Sequence, residues 1–195
     1  MGRLILVLGG ARSGKSAYAQ RLAQEIGGEQ VLFVATAEAG DEEMAQRIAR
    51  HRQERPAAWR TIETSRQAGA GVRTHLSDAR VVVVDCLTLL VSNVIVPMDV
   101  TADLAAAVTA VQAEVDAILQ VVRESAVTCI VVSNEVGLGL VPDTPLGRVY
   151  RDLLGHANRV LAVHAQVVYF MVAGLAVDVK ALALQQGARG LRVEE

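Results

Sequence analysis

Gly9-Gly10-Ala11-Arg12-Ser13-Gly14-Lys15-Ser16 is the most informative segment of this 195-residue chain. It matches the pattern G-x-x-x-x-G-K-[ST] of phosphate-binding loops without a mismatch. The apolar run Arg3–Leu8 before it is typical of a buried strand, and Ala17–Ile26 after it has apolar residues at helical spacing. This order directs backbone N–H groups and a helix N-terminus at one anion. We therefore predict a nucleoside triphosphate site rather than a plain glycine-rich turn, with Lys15 on the β and γ phosphates and the Ser16 hydroxyl on Mg²⁺.

The composition excludes several classes of protein. Apolar residues make up 52% of the chain and charged residues 21%, which fits a globular enzyme and excludes a disordered chain. The aromatic share is only 3%, so the core must consist mainly of Val, Leu, Ile and Ala. The net charge is −2 and no block rich in Lys and Arg occurs, so we do not expect nucleic acid as a partner.

Three features favour a cytoplasmic location. Cys86 and Cys129 lie in apolar surroundings without metal-site spacing, which is typical of reduced thiols inside cells. The N-terminal apolar run is too short for a signal peptide and leads directly into the phosphate-binding loop. The longest apolar stretch, Val81–Met98, is interrupted by Asp85, Ser92 and Asn93, so no membrane span is expected.

Apolar runs and helical patterns alternate along the chain. Strands are predicted at Leu4–Leu8, Val31–Ala35, Val81–Val84, Cys129–Ser133 and Val167–Val172. Helices are predicted at residues 15–26, about 41–53, 66–77, 86–95, 102–124 and 146–165. The alternation predicts a mainly parallel sheet with helices on both faces.

The end of the chain follows a different pattern. Ala176–Lys180 alternates apolar and polar residues, which predicts an antiparallel edge strand after a turn at Gly174. We therefore predict an α/β fold of the P-loop (RecA-like) class, with residues 1–180 as a single nucleotide-binding domain. Residues 181–195 are predicted to be a C-terminal tail, either a short helix or a partly disordered end.

Several polar residues follow the predicted strands. Asp85 ends the run Val81–Val84, where phosphate-loop enzymes place a carboxylate that holds Mg²⁺, although many strands also end in an Asp that serves a turn or a helix cap. Ala35–Ala37 and Asn134-Glu135 follow two other strands. Ligands of parallel sheets bind beyond the carboxyl ends of the strands, so these segments should share one cleft with the phosphate-binding loop.

The helix predicted after Gly40 carries a histidine that has two interpretations. Met44, Ile48 and His51 follow one another at helical steps, so His51 should face inward. A hydrogen-bonded core histidine is the ordinary interpretation of such a position. The alternative is a nucleophile toward phosphorus, since imidazole can form a covalent intermediate and the nearby Arg52 and Arg55 would stabilise the charge of departing phosphates.

Together with the phosphate-binding loop, further segments are similar to one enzyme family. They are Ala35-Thr36, Asp41-Glu42-Glu43-Met44, Arg47-Ile48, His51, Arg55-Pro56, Trp59-Arg60-Thr61, Glu63, Asn134-Glu135-Val136-Gly137 and Val141-Pro142. Their order resembles that of the bifunctional adenosylcobinamide kinase/adenosylcobinamide-phosphate guanylyltransferases of cobalamin biosynthesis. The resemblance runs from residue 3 to about residue 180.

This resemblance implies two reactions. ATP or GTP first phosphorylates the hydroxyl of the aminopropanol arm of adenosylcobinamide. GMP is then transferred from GTP to adenosylcobinamide phosphate through a GMP–histidine intermediate, with release of pyrophosphate and formation of adenosylcobinamide-GDP. His51 matches the histidine that carries GMP. Arg50 stands where many members have a second histidine, so His51 is the candidate here.

The resemblance also implies the residues that contact the nucleotide. They are Gly9, Gly10, Ala11, Arg12, Ser13, Gly14, Lys15, Ser16, Ala35, Thr36, Ala37, Arg52, Gln53, Glu54, Arg55, Glu63 and Asp85, with Ser16 and Asp85 as Mg²⁺ ligands. Without the resemblance, Glu63 would be interpreted as an exposed charge at a strand edge. Trp59 is interpreted as a core residue, with base stacking as the alternative. The family implies a homotrimer.

Two other functions remain open at this point. The first is a small-molecule kinase that uses the phosphate-binding loop without a covalent step. The second is a nucleotide-dependent switch or assembly module, for which a basic groove or exposed interaction surface would be expected.

Overall fold

A computed structural model describes residues 1–187. Its elements in chain order are β1 (Arg3–Gly9), α1 (Lys15–Gly27), β2 (Val31–Ala35), α2 (Glu42–Gln53), β3 (Arg60–Glu63), α3 (Ala68–His75), β4 (Val81–Asp85), α4 (Leu87–Ile95), α5 (Leu104–Glu124), β5 (Thr128–Val132), α6 (Pro145–His164), β6 (Val167–Val172), β7 (Leu175–Asp178) and α7 (Val179–Gly187).

The described strands form one sheet in the order β3-β2-β4-β5-β1-β6-β7. Neighbouring strands are parallel from β3 through β6, and β7 pairs antiparallel with β6. The first strand of the chain therefore lies between two of the last strands. The prediction of a mainly parallel α/β sheet with an antiparallel edge strand is confirmed.

Alternation along β1 separates two apolar layers, because successive side chains of a strand point to opposite faces. Leu4 and Leu6 pack in the cluster formed with α3, α4, α5 and α6, whereas Ile5 and Val7 pack in the cluster formed with α1. All four side chains are at most 2% exposed. Burial of each contributes about 1.5–3 kcal/mol, so a slip of one residue would exchange the layers at high cost.

The structure corrects two boundaries near the sheet edges. No strand was predicted at β3, because Arg60–Glu63 contains a single aliphatic residue, Ile62, yet these residues pair in parallel with β2. The last strand was predicted at Ala176–Lys180 but spans Leu175–Asp178. Asp178 accepts a hydrogen bond from the Ala181 N–H, and α7 begins at Val179. The remainder of the predicted tail, residues 188–195, lies outside the described residues.

Helix α5 is long and apolar enough to cross a membrane by length and composition alone. Its apolar residues have another explanation in this structure. Ala107, Val111, Val115 and Ile118 are at most 3% exposed and belong to the core cluster of the helical layer.

Helices α3 and α5 approach each other closely at two points. A Cβ added to Gly69 would lie 2.5 Å from the carbonyl carbon of Ala117, so the backbones are nearly in contact. The buried carboxylate of Glu114 on α5 accepts hydrogen bonds from the backbone N–H groups of Gln67 and Ala68. Glu114 therefore supplies the N-terminal cap that α3 lacks in its own sequence.

Candidate active site

The carboxyl ends of five parallel strands meet at one edge of the sheet. In the register of these strands, Ala35 pairs with both Glu63 and Asp85, and Asp85 pairs with Val132. The phosphate-binding loop leaves β1 at the same edge, because Val7 also pairs with Val132. The segments predicted to share a cleft are thus together at this edge.

Two glycines give the phosphate-binding loop its path. Gly14 has φ 92° and stands at the N-cap of α1, a left-handed conformation that favours glycine. Gly9 has φ 151°, and a Cβ there would lie 2.6 Å from the carbonyl oxygen of Met171. Any larger residue would separate β1 from β6 where the loop begins.

Backbone hydrogen bonds hold the loop from two sides. The Glu135 N–H donates to the Gly9 carbonyl oxygen at 3.1 Å, which connects the loop to the segment after β5. The Gly174 N–H donates to the Ser13 carbonyl oxygen at 3.1 Å, which connects it to the turn between β6 and β7. The loop is therefore fixed by segments from the second half of the chain.

Lys15, Ser16 and Asp85 form the charged corner of the cleft. The Ser16 hydroxyl donates a hydrogen bond to the Asp85 carboxylate, and buried Lys15 donates from Nζ to the Gly10 carbonyl oxygen at 2.5 Å. Burial raises the pKa of Asp85, while the Ser16 hydrogen bond and the charges of His51, Arg55 and Lys15 act in the opposite direction. Asp85 does not cap α4, since Cys86 occupies that N-cap.

His51 lies on the side of α2 that faces this corner. Its charge acts to lower the pKa of Asp85, so the imidazole lies near the carboxylate that contacts Ser16. The His51 side chain is 30% exposed, so it is not a fully buried core histidine. Nδ1 lies 3.7 Å from Oε2 of Glu54, one turn further along the chain. Met44 and Ile48 are likewise half-buried, as their helical spacing with His51 predicts.

Arg55 lies across the cleft on an aromatic ring. Its guanidinium carbon is 4.0 Å from the centroid of Phe33, a cation–π contact. Burial lowers the pKa of Arg55, and the charges of Asp85 and Glu63 oppose that shift. Nε and Nη1 are buried and have no hydrogen-bond partner among the described residues. Such a cation, fixed with two donors available, is suited to a phosphate group.

Glu63 and Arg52 extend the charged surface to the edge of the sheet. Nη2 of Arg52 lies 2.8 Å from Oε1 of Glu63, and both side chains are about half exposed or more. The pair joins the end of α2 to the end of β3. An exposed pair contributes little to stability, roughly 0–1 kcal/mol.

The floor of the cleft contains polar groups that serve the fold. The Thr36 hydroxyl is fully buried; it donates to the Cys86 carbonyl oxygen at 2.7 Å and accepts from the Cys86 N–H at 2.8 Å. Asn93 donates from Nδ2 to the carbonyl oxygens of Thr36 and Ser65. Sequence reasoning did not assign Asn93 a role, although an amide within the apolar α4 could have drawn attention to it.

The remaining predicted residues differ in burial and in whether they lie at the cleft. Ala35 is buried at the end of β2 and Ala37 is half-buried just beyond it, whereas Gln53 and Glu54 are exposed at the end of α2. Trp59 lies elsewhere: its Nε1–H donates to the Gly28 carbonyl oxygen at 3.0 Å and its side chain is 6% exposed. The structure thus agrees with Trp59 as a core residue.

The donors present fit Mg²⁺ held together with a nucleotide. The described residues contain no group of three or more His, Cys, Asp and Glu side chains that could bind a metal by themselves. Mg²⁺ commonly binds through one or two protein oxygens, phosphate oxygens and water. The Ser16 hydroxyl and the Asp85 carboxylate, already in contact, provide the protein oxygens.

Comparison with known proteins agrees with this chemistry. The chain matches the profile of a family described as "Cobinamide kinase / cobinamide phosphate guanyltransferase" over residues 5–179. It is 43% identical over 175 residues to "Bifunctional adenosylcobalamin biosynthesis protein CobP" of Pseudomonas aeruginosa, covering 90% of this chain and 96% of the relative. It is 36% identical over 182 residues to "Bifunctional adenosylcobalamin biosynthesis protein CobU" of Escherichia coli, covering 91% and 99%.

Among solved structures, the flagellar accessory protein FlaH of Methanocaldococcus jannaschii has a TM-score of 0.48 and 16% identity, with 90% of this chain and 75% of FlaH covered. That likeness is too distant to bear on function. The family profile spans most of the chain, and the curated relatives match over nine-tenths of it. The resemblance seen in the sequence is therefore confirmed, and the chain belongs to the CobU family of cobinamide kinases and cobinamide phosphate guanyltransferases.

Proposed function

We propose that this enzyme phosphorylates adenosylcobinamide with ATP or GTP and then guanylylates the product through a GMP–His51 intermediate. The observation that carries the proposal is the electrostatic interaction of His51 with Asp85, which itself contacts Ser16 of the phosphate-binding loop. This proximity supports a shared cleft for the proposed nucleophile and the residues proposed to hold the triphosphate.

The kinase step consists mainly of positioning and charge neutralisation. Lys15 would contact the β and γ phosphates, and Ser16 and Asp85 would hold Mg²⁺, which neutralises charge on the phosphate oxygens when it is bound. The substrate hydroxyl attacks the γ phosphorus, the bond to the β-phosphate oxygen breaks, and the hydroxyl proton is lost to solvent or product. ADP or GDP leaves together with adenosylcobinamide phosphate.

The guanylyl step proceeds through two displacements at one phosphorus atom. Nε2 of His51 attacks the α phosphorus of GTP, and pyrophosphate leaves with the electrons of the broken P–O bond. A phosphate oxygen of adenosylcobinamide phosphate then attacks the same phosphorus, and the P–N electrons return to the imidazole. Glu54, near Nδ1, favours the proton on that nitrogen and leaves the Nε2 lone pair available.

Arg55 supports this second step. Its guanidinium is fixed on Phe33 and has two donors without partners among the described residues. We propose that these donors stabilise the negative charge of the pyrophosphate as it leaves. The remaining nucleotide contacts are proposed at Gly9–Ser16, Ala35–Ala37, residues 52–54 and Glu63.

Labelling with GTP tests the proposal. With GTP radiolabelled at the α phosphate, Mg²⁺ and no corrinoid, the wild-type enzyme should acquire one acid-labile GMP group, measured by intact-mass spectrometry and autoradiography. His51→Ala should acquire none and should keep ATP-dependent phosphorylation of adenosylcobinamide. His156→Ala, which removes an exposed imidazole on α6, is the matched control and should label normally.

The same experiment distinguishes the proposed function from the second candidate function, a kinase without a covalent step. Persistent labelling of His51→Ala would reject His51 as the nucleophile. A wild-type enzyme that phosphorylates the corrinoid but never acquires GMP would be a phosphate-loop kinase without a covalent step.

We also propose that residues 1–180 form one nucleotide-binding domain and that the chain forms a homotrimer, as the family resemblance implies. The two unpaired cysteines, Cys86 and Cys129, fit a cytoplasmic location without a membrane span.

A further inference from the structure

The segment between β5 and α6 exposes a compact group of apolar side chains. Leu138 is 82% exposed, Leu140 is 96% exposed and Val141 is 62% exposed. Single exposed apolar residues are common, but three within four positions form a local patch of the kind that marks a binding surface. We refer to residues 138–141 as the apolar tip.

Hydrogen bonds on both sides keep the apolar tip away from the core. On the β5 side, the Asn134 N–H donates to the Thr88 hydroxyl at 2.8 Å, and Nδ2 of Asn158 donates to the Asn134 carbonyl oxygen at 2.9 Å. On the α6 side, Arg148 donates from Nη1 to the carbonyl oxygens of Pro142 and Asp143. The tip is therefore presented to solvent by a segment that is fixed at its ends.

The base of this segment contacts the phosphate-binding loop directly. The Glu135 N–H donates to the carbonyl oxygen of Gly9, and the Glu135 carboxylate folds the backbone by accepting from the Gly137 N–H at 2.7 Å. Since β5 lies beside β1, the apolar tip leaves the sheet next to the site proposed for the triphosphate. A molecule lying on the tip would therefore lie on the segment whose base contacts the phosphate-binding loop.

The two sides of the cleft differ in chemistry. The side formed by α2 and β3 is charged, with Arg52, Arg55, His51 and Glu63. The side formed by the segment after β5 presents the apolar tip instead. A nucleotide suits the first side, and a bulky acceptor with apolar surface suits the second.

We propose that the apolar tip binds the corrin macrocycle of the acceptor and thereby brings its side-arm hydroxyl to the phosphate-binding loop. The proposal rests on the function proposed above. Corrin carries methyl and methylene groups on its faces, so aliphatic side chains beside the loop complement it. The macrocycle remains outside the cleft, and only its flexible arm has to enter.

The test uses the double variant Leu138→Ser/Leu140→Ser in the full-length enzyme. The KM for adenosylcobinamide in the ATP-dependent reaction should rise about tenfold or more, because apolar contact area with the ring is lost. Labelling by GTP without corrinoid should stay within about twofold of wild type, since the tip does not contact the nucleotide. Leu138→Met/Leu140→Met should retain most of the affinity.

Val163→Ser is the matched control, because Val163 is 71% exposed near the C-terminal end of α6, away from the cleft. It should change neither the KM nor the labelling. An unchanged KM in the double serine variant would overturn the proposal. So would a fall in the mass of the assembly, measured by light scattering, with parallel loss of both activities, because the tip would then contact a second copy of the chain.

The failure of this inference is distinguishable from that of the proposed function. If the wild-type enzyme labels and phosphorylates normally and the double variant has the wild-type KM, only the proposed role of the apolar tip is rejected. A wild-type enzyme that does not phosphorylate adenosylcobinamide at all rejects both.

Discussion

At the residue scale, Asp85 shows how a site for a cation costs stability when no cation is bound. Burial raises its pKa, so folding without a ligand disfavours the ionised carboxylate relative to its state in water. A raised pKa in the folded state means that stability is lost as the pH rises and the group ionises. A nucleotide-bound metal would add a further positive charge beside Asp85 and favour its ionised form.

Asp85→Asn should therefore stabilise the ligand-free protein while impairing catalysis. At neutral pH the melting temperature should rise, and the difference from wild type should shrink in acid, where Asp85 also becomes neutral. Kinase activity should fall roughly 100-fold or more, because the metal loses a ligand. Calorimetry between acidic and neutral pH, together with activity assays, provides the measurement.

Asp116→Asn is the matched control, since Asp116 is exposed on α5 and its amide could still accept from Gln112. It should change neither the melting temperature nor the kinase activity. A melting temperature for Asp85→Asn below that of wild type at neutral pH would contradict the assigned direction.

The sequence predicted which residues lie together at the sheet edge where a motif specified them. The contact between Ser16 and Asp85 follows from a phosphate-binding loop and a strand-end carboxylate on neighbouring parts of one sheet edge. The contact of Arg55 with Phe33 could not be predicted, because it depends on the path of the chain between α2 and β3. Phe33 by itself has only the pattern of a buried strand residue.

At the element scale, the closest approach of two helices depends on one glycine. Gly69→Ala would put a Cβ within 2.7 Å of three atoms of Ala117, two of them backbone. We expect a loss of about 1–3 kcal/mol in the free energy of unfolding, because α3 must move away from α5. Urea denaturation followed by circular dichroism measures it.

Gly71→Ala is a control from the same helix. Its Cβ would meet the flexible end of Ile62 at 3.2 Å, and alanine is the better helix former by about 0.5–1 kcal/mol. This variant should be neutral or slightly more stable. Equal losses in the two variants would contradict the assignment of the Gly69→Ala effect to the contact between α3 and α5.

Elements with strong periodicity were predicted within about two residues, whereas the short edge strand β3 was not predicted. Helices α1, α2, α4 and α6 begin and end close to their predicted bounds. Strand β3 was not predicted, because its exposed, mostly polar residues lack a strand pattern. Its extended conformation depends on pairing with β2. The cap that Glu114 gives α3 comes from a distant element and leaves no local signal.

At the scale of the whole molecule, a nucleotide would connect loops from four strands and so stabilise the entire fold. A ligand at 100 times its dissociation constant adds about 2.7 kcal/mol, which corresponds to about 5–10 °C in melting temperature for a chain of this size. GTP with Mg²⁺ should produce such a shift in differential scanning fluorimetry. Lys15→Ala should lose most of it, because the phosphates lose their buried cation.

GTP with EDTA serves as the control and should give a much smaller shift. An undiminished shift for Lys15→Ala would show that GTP binds away from the phosphate-binding loop.

The strand order has a consequence for how the enzyme is made. Strand β1 emerges first from the ribosome, yet both of its neighbours, β5 and β6, are synthesised much later. The Ser13 carbonyl receives its hydrogen bond only once Gly174 exists. Strand β1 must therefore wait for both of its neighbours until most of the chain has been synthesised, and we expect a chain that ends before β6 not to hold a nucleotide. Nucleotide affinity would thus report that synthesis and folding of the chain are complete.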